Sequence, residues 1–97
     1  MNNMFANNPL TEREEDVLVL EKLTDVFELI LFNDDVNTFD HVIDMLVKYC
    51  KHDPLQAEQC AYIVHYNGKC PVKSGSYDEL TPVCTALLDA GLSAEIQ

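Results

Sequence analysis

The chain has no tryptophan, only three glycines, and six basic side chains against 17 acidic ones, for a formal charge of -11. So few bases argue against a nucleic-acid or anionic-membrane surface, because phosphates repel such a chain. Basic or cationic partners are expected instead. With so few glycines there is no glycine-rich phosphate loop, and no internal repeat or low-complexity core is present. Nor is there a run of about 20 apolar residues, so a membrane span is not expected. The four cysteines, Cys50, Cys60, Cys70 and Cys84, form no CxxC pair, and no export-type segment is visible. Reduced thiols and a cytoplasmic location are therefore expected. A zinc site can be drawn from Cys50, His52, Cys60 and His65. Buried free thiols are the commoner outcome, and neither a metal nor a cofactor is expected.

Ninety-seven residues suffice for one domain with a single core. Residues 1–24 are expected to be a flexible acidic arm and 25–97 the folded core. Within the arm, Thr11-Glu12-Arg13-Glu14 has capping-box spacing, while Val17-Leu18-Val19-Leu20 equally suits a strand. Nine acids and two bases fall in residues 1–35, so more than half of the excess charge sits in roughly the first third.

Val26 to Phe32 predicts a strand with Phe27, Leu29 and Leu31 on one face and Val26, Ile30 and Phe32 on the other, interrupted there only by Glu28. A strand apolar on both sides belongs in the middle of its sheet. Thr38 can cap a helix whose apolar stripe is Phe39, Val42, Ile43, Leu46, Val47 and Cys50, with Asp40 and Asp44 toward water. Asp53-Pro54 starts a second helix with buried stripe Ala57, Cys60, Ala61 and Val64, stopped by Asn67-Gly68. His65 lies at the edge of that stripe. His41 and His52, at a helix start and an interhelix turn, are expected to face solvent.

Lys69 to Lys73 reads as a short strand, with Ser74-Gly75 as a turn. Ser76 and Glu79 form a capping box for a third helix that ends at Gly91. Pro82 either kinks that helix or marks a fresh start capped by Thr81. Leu92 to Ile96 closes the chain as a strand. The expected fold is α+β, a small three-stranded antiparallel sheet covered on one face by three helices, in the order β-α-α-β-α-β.

The loop Asn33-Asp34-Asp35-Val36-Asn37 follows the strand directly. By itself it reads readily as a turn with a helix cap. It also offers two adjacent carboxylates which, with His65, could capture a protonated amine beside a hydrophobic pocket. An α-ammonium has three donors and is mostly charged at neutral pH. A carboxylate, an amide oxygen and an imidazole nitrogen can accept all three. An internal or acetylated amide lacks that charge and those donors, so the discrimination would be large. An accepting imidazole must be neutral, so affinity is expected to weaken as pH falls through about 6.5.

Asn33-Asp34-Asp35 after an apolar strand, then Phe39 to Leu46 (FDHVIDML), then Val64-His65-Tyr66-Asn67-Gly68-Lys69, together resemble the ClpS family, the specificity adaptors of the bacterial Clp protease. The resemblance covers about residues 26–97. It implies a non-enzymatic adaptor that holds substrates by a destabilising N-terminal residue and delivers them to the AAA+ unfoldase of the protease, ClpA-like or ClpC-like. It assigns Asn33, Asp34 and His65, with Asp35 beside them, to the substrate's α-amino group. The hydrophobic pocket for the first side chain would be Asn37, Phe39, Val42, Ala61, Val64 and Leu92. Val42 and Val64 equally suit plain core packing.

Three positions depart from the family pattern. Asn37-Thr38-Phe39 stands for the usual Thr-Pro-Met, Ala61 for a bulky gate that is often Met, and Cys84 for a Lys that helps contact the unfoldase. An enlarged pocket mouth, admitting β-branched first residues, is the expectation. Two other functions stay open on the sequence: an enzyme using Asp34 or Asp35 with His65 as an acid/base pair, and a module that docks on the unfoldase without holding N-termini.

Overall fold

The computed structural model of the chain describes residues 25–97, in the order β1 (Phe27–Phe32), α1 (Phe39–Cys50), α2 (Pro54–Asn67), β2 (Lys69–Gly75), α3 (Tyr77–Asp89) and β3 (Ser93–Ile96). The arm of residues 1–24 and its two alternative readings lie outside the described residues. The three strands form one antiparallel sheet in the order β2-β1-β3, with β1 in the middle as its two apolar faces predict. Leu29 and Leu31 are fully buried in the core against the helices, and Ile30, which points to the other face, is buried as well. Val26 lies before the strand and is exposed.

The helices begin where short-range chemistry starts them. Thr38 accepts a bond from the His41 N–H at 3.1 Å, Asp53 from the Gln56 N–H at 2.9 Å, and Ser76 from the Glu79 N–H at 3.1 Å. Glu79 Oε1 returns the last by accepting from the Ser76 N–H at 2.9 Å, completing the capping box. These bonds satisfy N–H groups that the first helical turn leaves without partners. Gly68, at φ 94°, ends α2 as expected.

Helix α3 runs unbroken through Pro82 from its cap at Ser76, so there is no fresh start at Thr81. Instead the Thr81 hydroxyl donates to the Tyr77 carbonyl at 2.8 Å. Pro82 has no N–H for the carbonyl four residues back, that of exposed Asp78, which water can reach.

One local expectation gives way to tertiary pairing. Ser74 and Gly75 are not a turn: they extend β2, opposite Glu28 and Phe27 of β1. The register between the strands shifts at Leu29/Ile30, where Lys73 pairs with Leu29 and Pro71 with Ile30, leaving Val72 as the extra residue. Pro71 is tolerated there because β2 is an edge strand and the ladder is already interrupted.

His52 is not solvent-facing. Lys51 adopts a left-handed conformation at φ 62°, and the Leu46 carbonyl accepts from the N–H groups of both Lys51 and His52. That tight end to α1 turns the His52 ring inward to 6% exposure, where its Nε2–H donates to the Val72 carbonyl at 2.6 Å. A carbonyl only accepts, so the proton sits on Nε2.

The core gathers Leu29 and Leu31 of β1, Leu46 of α1, Ala57 and Val64 of α2, and Leu80 and Leu87 of α3. Each fully buried leucine stabilises the fold by about 1.5–3 kcal/mol. Phe39, which opens the predicted α1 stripe, and Val47 within it remain exposed. Phe39 is thereby free to border a cleft.

Candidate functional site

The loop between β1 and α1 is organised by one carboxylate. Asp34 Oδ1 accepts from the N–H groups of Val36 and Asn37, each at 2.8 Å, and Oδ2 accepts from the Asn37 side-chain amide at 2.8 Å. The sequence favours this because a short acidic side chain readily bonds backbone two and three residues ahead. Burial alone would raise the Asp34 carboxyl. The bonds from Asn37 and Val36, with the electrostatic pull of His41, outweigh it and hold the pKa below its ordinary value. Asp34 is accordingly a fixed negative charge at neutral pH.

Long-range bonds hold this loop in place. Asn33 N–H donates to the Gly68 carbonyl at 2.9 Å, joining the end of β1 to the end of α2. The Asn37 amide also donates to the Gly91 carbonyl at 2.8 Å, and His41 Nε2–H to the neighbouring Ala90 carbonyl at 2.9 Å. His41 is therefore partly buried at an anchor point, not solvent-facing as its position at a helix start suggests. Neither Gly91 nor His41 stands out as a site residue in the sequence. Their partners lie 54 and 49 residues away, so no local spacing signals them.

Between this loop and the faces of α1 and α2 lies an open cleft of about 290 Å³, lined by Asn33, Asp34, Asp35, Asn37, Phe39, Val42, Ala61, Val64 and His65. Its polar end is the loop together with His65. Its apolar wall is Phe39, Val42, Ala61 and Val64. Thus Asn33, Asp34, Asp35 and His65, singled out for an amine, border the same space as five of the six residues singled out for a side chain. Leu92 is the sixth. It is buried and lines an adjoining recess of about 20 Å³, which shares Asn33, Asp34, Asn37, Val42 and Val64 with the cleft. The Phe39 ring packs against His65 and against Tyr62, both at 5.1 Å between centroids.

The cysteines stand apart from this cleft. All four are free thiols, with Cys50, Cys60 and Cys70 buried. Burial pushes the Cys50 thiol up to about 11 and the Cys70 thiol up to about 12, so both stay protonated and poor as nucleophiles or ligands. Among the described residues no group of three His, Cys, Asp or Glu side chains is arranged to hold a metal. The four drawn together from sequence for zinc are divided between the core and the cleft. No described helix is long and apolar enough to cross a membrane.

Polar and apolar linings thus share one cleft of an α+β domain, at the junction of its central strand and two helices. The chain belongs to the ClpS family: the model of the ATP-dependent Clp protease adaptor protein ClpS matches residues 22–95. It is 38% identical over 56 residues to the ATP-dependent Clp protease adapter protein ClpS of Cronobacter sakazakii, covering 58% of this chain and 53% of that protein. To the protein of the same name in Escherichia coli O157:H7 it is 39% identical over 56 residues, with the same coverage. The chain thus spans about half the length of the curated relatives it matches. Its fold is similar to that of Agrobacterium tumefaciens ClpS2, solved bound to L-phenylalaninamide, with a TM-score of 0.64 at 17% identity over 74% of this chain and 94% of that one.

Proposed function

We propose that this chain is a non-enzymatic adaptor. It holds the free α-amino group and the hydrophobic first side chain of a substrate protein in the cleft, and delivers that protein to the AAA+ unfoldase of the Clp protease, ClpA-like or ClpC-like. Residues 25–97 act as the adaptor core and residues 1–24 as the acidic arm used in delivery, in the cytoplasm.

The observation that carries this reading is the sharing of one cleft by two chemistries. Asn33, Asp34, Asp35 and His65 border the space that Phe39, Val42, Ala61 and Val64 line with apolar surface. Asp34 has about four acceptor positions, of which its own loop uses three, so at most one direct bond to an ammonium remains. Its main contributions are charge and the shape of the loop, while Asn33 and His65 supply the other acceptors. Asn33 and His65 are exposed in the free protein, so the penalty arises only where a bound peptide covers them: an acceptor covered and left unpaired costs about 1–3 kcal/mol, which disfavours an internal or acetylated nitrogen. Burying a Leu or Phe side chain in the slot adds about 1.5–3 kcal/mol, enough with the amine contacts for micromolar binding. L-Phenylalaninamide, the ligand of the fold neighbour, has the free amine and apolar side chain this cleft would receive.

The test is a titration with short peptides that differ only in their first residue and in N-terminal acetylation. Acetylation should abolish binding, and a charged or very small first residue should weaken it strongly. Equal binding of the acetylated peptides, with docking on the unfoldase retained, would replace this reading with that of a docking module. Release of a shortened peptide would make it a hydrolase.

A further inference from the structure

We propose that Lys48, Lys51 and Lys73 form a docking surface for the chain's own acidic arm, which lays the carboxylates of Glu14, Glu15 and Asp16 against them. The contact is separate from the cleft, so it stands or falls independently of the N-terminus reading.

The bases are gathered, although the chain is poor in them. Lys48, Lys51, Lys69 and Lys73 are the only lysines or arginines among the described residues. Three of them meet where the end of α1 is braced on β2 by the bond from the His52 ring to the Val72 carbonyl. Lys48 lies in the last turn of α1 and Lys51 caps it, on either side of Cys50. Lys73 follows Val72 in β2. Burial raises the Cys50 thiol, and the charge of nearby Lys73 acts against it. Lys48 and Lys51 are exposed, and Lys73 is half-buried. Two carboxylates stand beside them, and both are committed to caps. Asp53 accepts from the Gln56 N–H at the start of α2, and Glu79 from the Ser76 N–H at the start of α3. Three like charges held together repel one another, and carboxylates brought from elsewhere relieve that repulsion.

The arm supplies the carboxylates. Residues 12–21 hold Glu12, Glu14, Glu15, Asp16 and Glu21 against Arg13 alone, and they precede residue 22, where the family match begins. Val17-Leu18-Val19-Leu20 follows the acids directly, while Leu55, 63% exposed, stands four residues beyond Lys51. An acidic triplet followed by an apolar run thus matches lysines followed by an exposed leucine. Reach decides that the occupant is this chain's own. Phe27 pairs with Gly75, so the arm joins the fold at the end of β2, two residues from Lys73. From there Lys73 lies about 5 Å across and about 7 Å along the sheet. Asp16 precedes Phe27 by 11 residues, which span at most about 36–40 Å when extended. A short tether holds the acids near the lysines at an effective concentration of about millimolar, so individually weak exposed pairs suffice. A second copy, itself at net charge -11, is repelled and has no such advantage.

The test is zero-length carbodiimide coupling of the full chain, which joins a carboxylate to a lysine only where the two are in contact, read by mass spectrometry. Glu14, Glu15 or Asp16 should be joined to Lys48, Lys51 or Lys73. In a mixture of unlabelled and nitrogen-15-labelled chains, each product should carry one isotope only. At about 0.5 M salt, where the Debye length is about 4 Å, the yield should fall about 5-fold or more. In the triple variant Lys48→Gln, Lys51→Gln, Lys73→Gln, the amide resonances of residues 14–20 should move to those of a synthetic peptide of residues 1–24. The resonances of residues 33–37 should stay in place, reporting an intact fold. Where the triple variant loses the fold, wild type at about 0.5 M salt gives the same comparison. Arm resonances that already match the free peptide in the wild-type chain at low salt overturn the proposal. So does coupling that reaches Lys69, at the far end of β2, as often as the other three, since only a diffuse attraction would then remain. Mixed-isotope products overturn it in favour of a contact between two copies.

Discussion

Asn37 and Gly91, 54 residues apart, are joined by a 2.8 Å bond from the Asn37 side-chain amide to the Gly91 carbonyl, and the same amide donates to Asp34 Oδ2. One side chain therefore fastens the acidic loop to the turn between α3 and β3. With Ala in its place, Asp34 loses one charge-assisted bond and the loop loses one of its long-range anchors. Asn37→Ala should weaken peptide binding by about 10-fold or more, from a bond to a charged group worth about 1.5–3 kcal/mol, while the partly exposed site limits the loss of global stability to about 1 kcal/mol. Peptide titration alongside thermal unfolding reads both. A variant that lowers Tm sharply but binds normally would make the contact purely structural.

The Asp34 carboxyl has a lower pKa folded than unfolded, because the bonds it accepts favour the charged form. A group depressed in this way stabilises the native loop above its unfolded pKa, and that contribution fades as pH falls through the folded value. In an acid titration followed by NMR, the Asp34 carboxyl should titrate below the same residue in an unstructured peptide. The Val36 and Asn37 amide resonances should move with the same midpoint. A midpoint at or above the peptide value would show that burial dominates.

Ala61 is buried in the wall of the cleft. A small residue there leaves width for a side chain branched at Cβ. Peptides beginning with Ile or Val should bind measurably, and Ala61→Met should cost those peptides about 10-fold by filling the slot, a loss of the size expected for one or two displaced methyl groups. Tightest binding of Leu and Phe in both forms, with no Ile or Val binding in either, would assign the width no role.

His52 tests the core independently of the cleft. Its Nε2–H donates to the buried Val72 carbonyl at 2.6 Å, bracing the end of α1 against β2. His52→Ala removes the bond, orphans the carbonyl and leaves a void, for an expected loss of about 2–4 kcal/mol and a fall in Tm of about 10 °C or more. At temperatures where the variant is folded, peptide affinity should not change, since His52 does not line the cleft. A changed affinity would couple core and site.

The start of each helix and the stop of α2 were legible in the chain itself. Thr38, Asp53 and Ser76 bond amides three residues ahead, and Gly68 takes a left-handed conformation that costs it nothing, so each signal completes itself within one turn. The central position of β1 was equally readable, because a strand with apolar residues on both faces belongs in the middle of its sheet. The cleft residues were marked by the resemblance of Asn33-Asp34-Asp35 and Val64-His65 to the ClpS family pattern, since the loop alone reads equally as a capped turn.

Only the folded arrangement decided the rest. Ser74 and Gly75 resemble a turn until β1 offers them partners. His52 looks solvent-facing until the left-handed Lys51 swings it toward Val72. Leu92 borders a small recess and not the cleft itself, and the Asn37 and His41 anchors exist only once α3 has docked against α1. The physical reason is the range of the interactions. A cap or a left-handed stop gains its bond from neighbours that the chain connectivity already holds close. A bond across 54 residues forms only after hydrophobic burial elsewhere has offset the entropy of bringing its ends together.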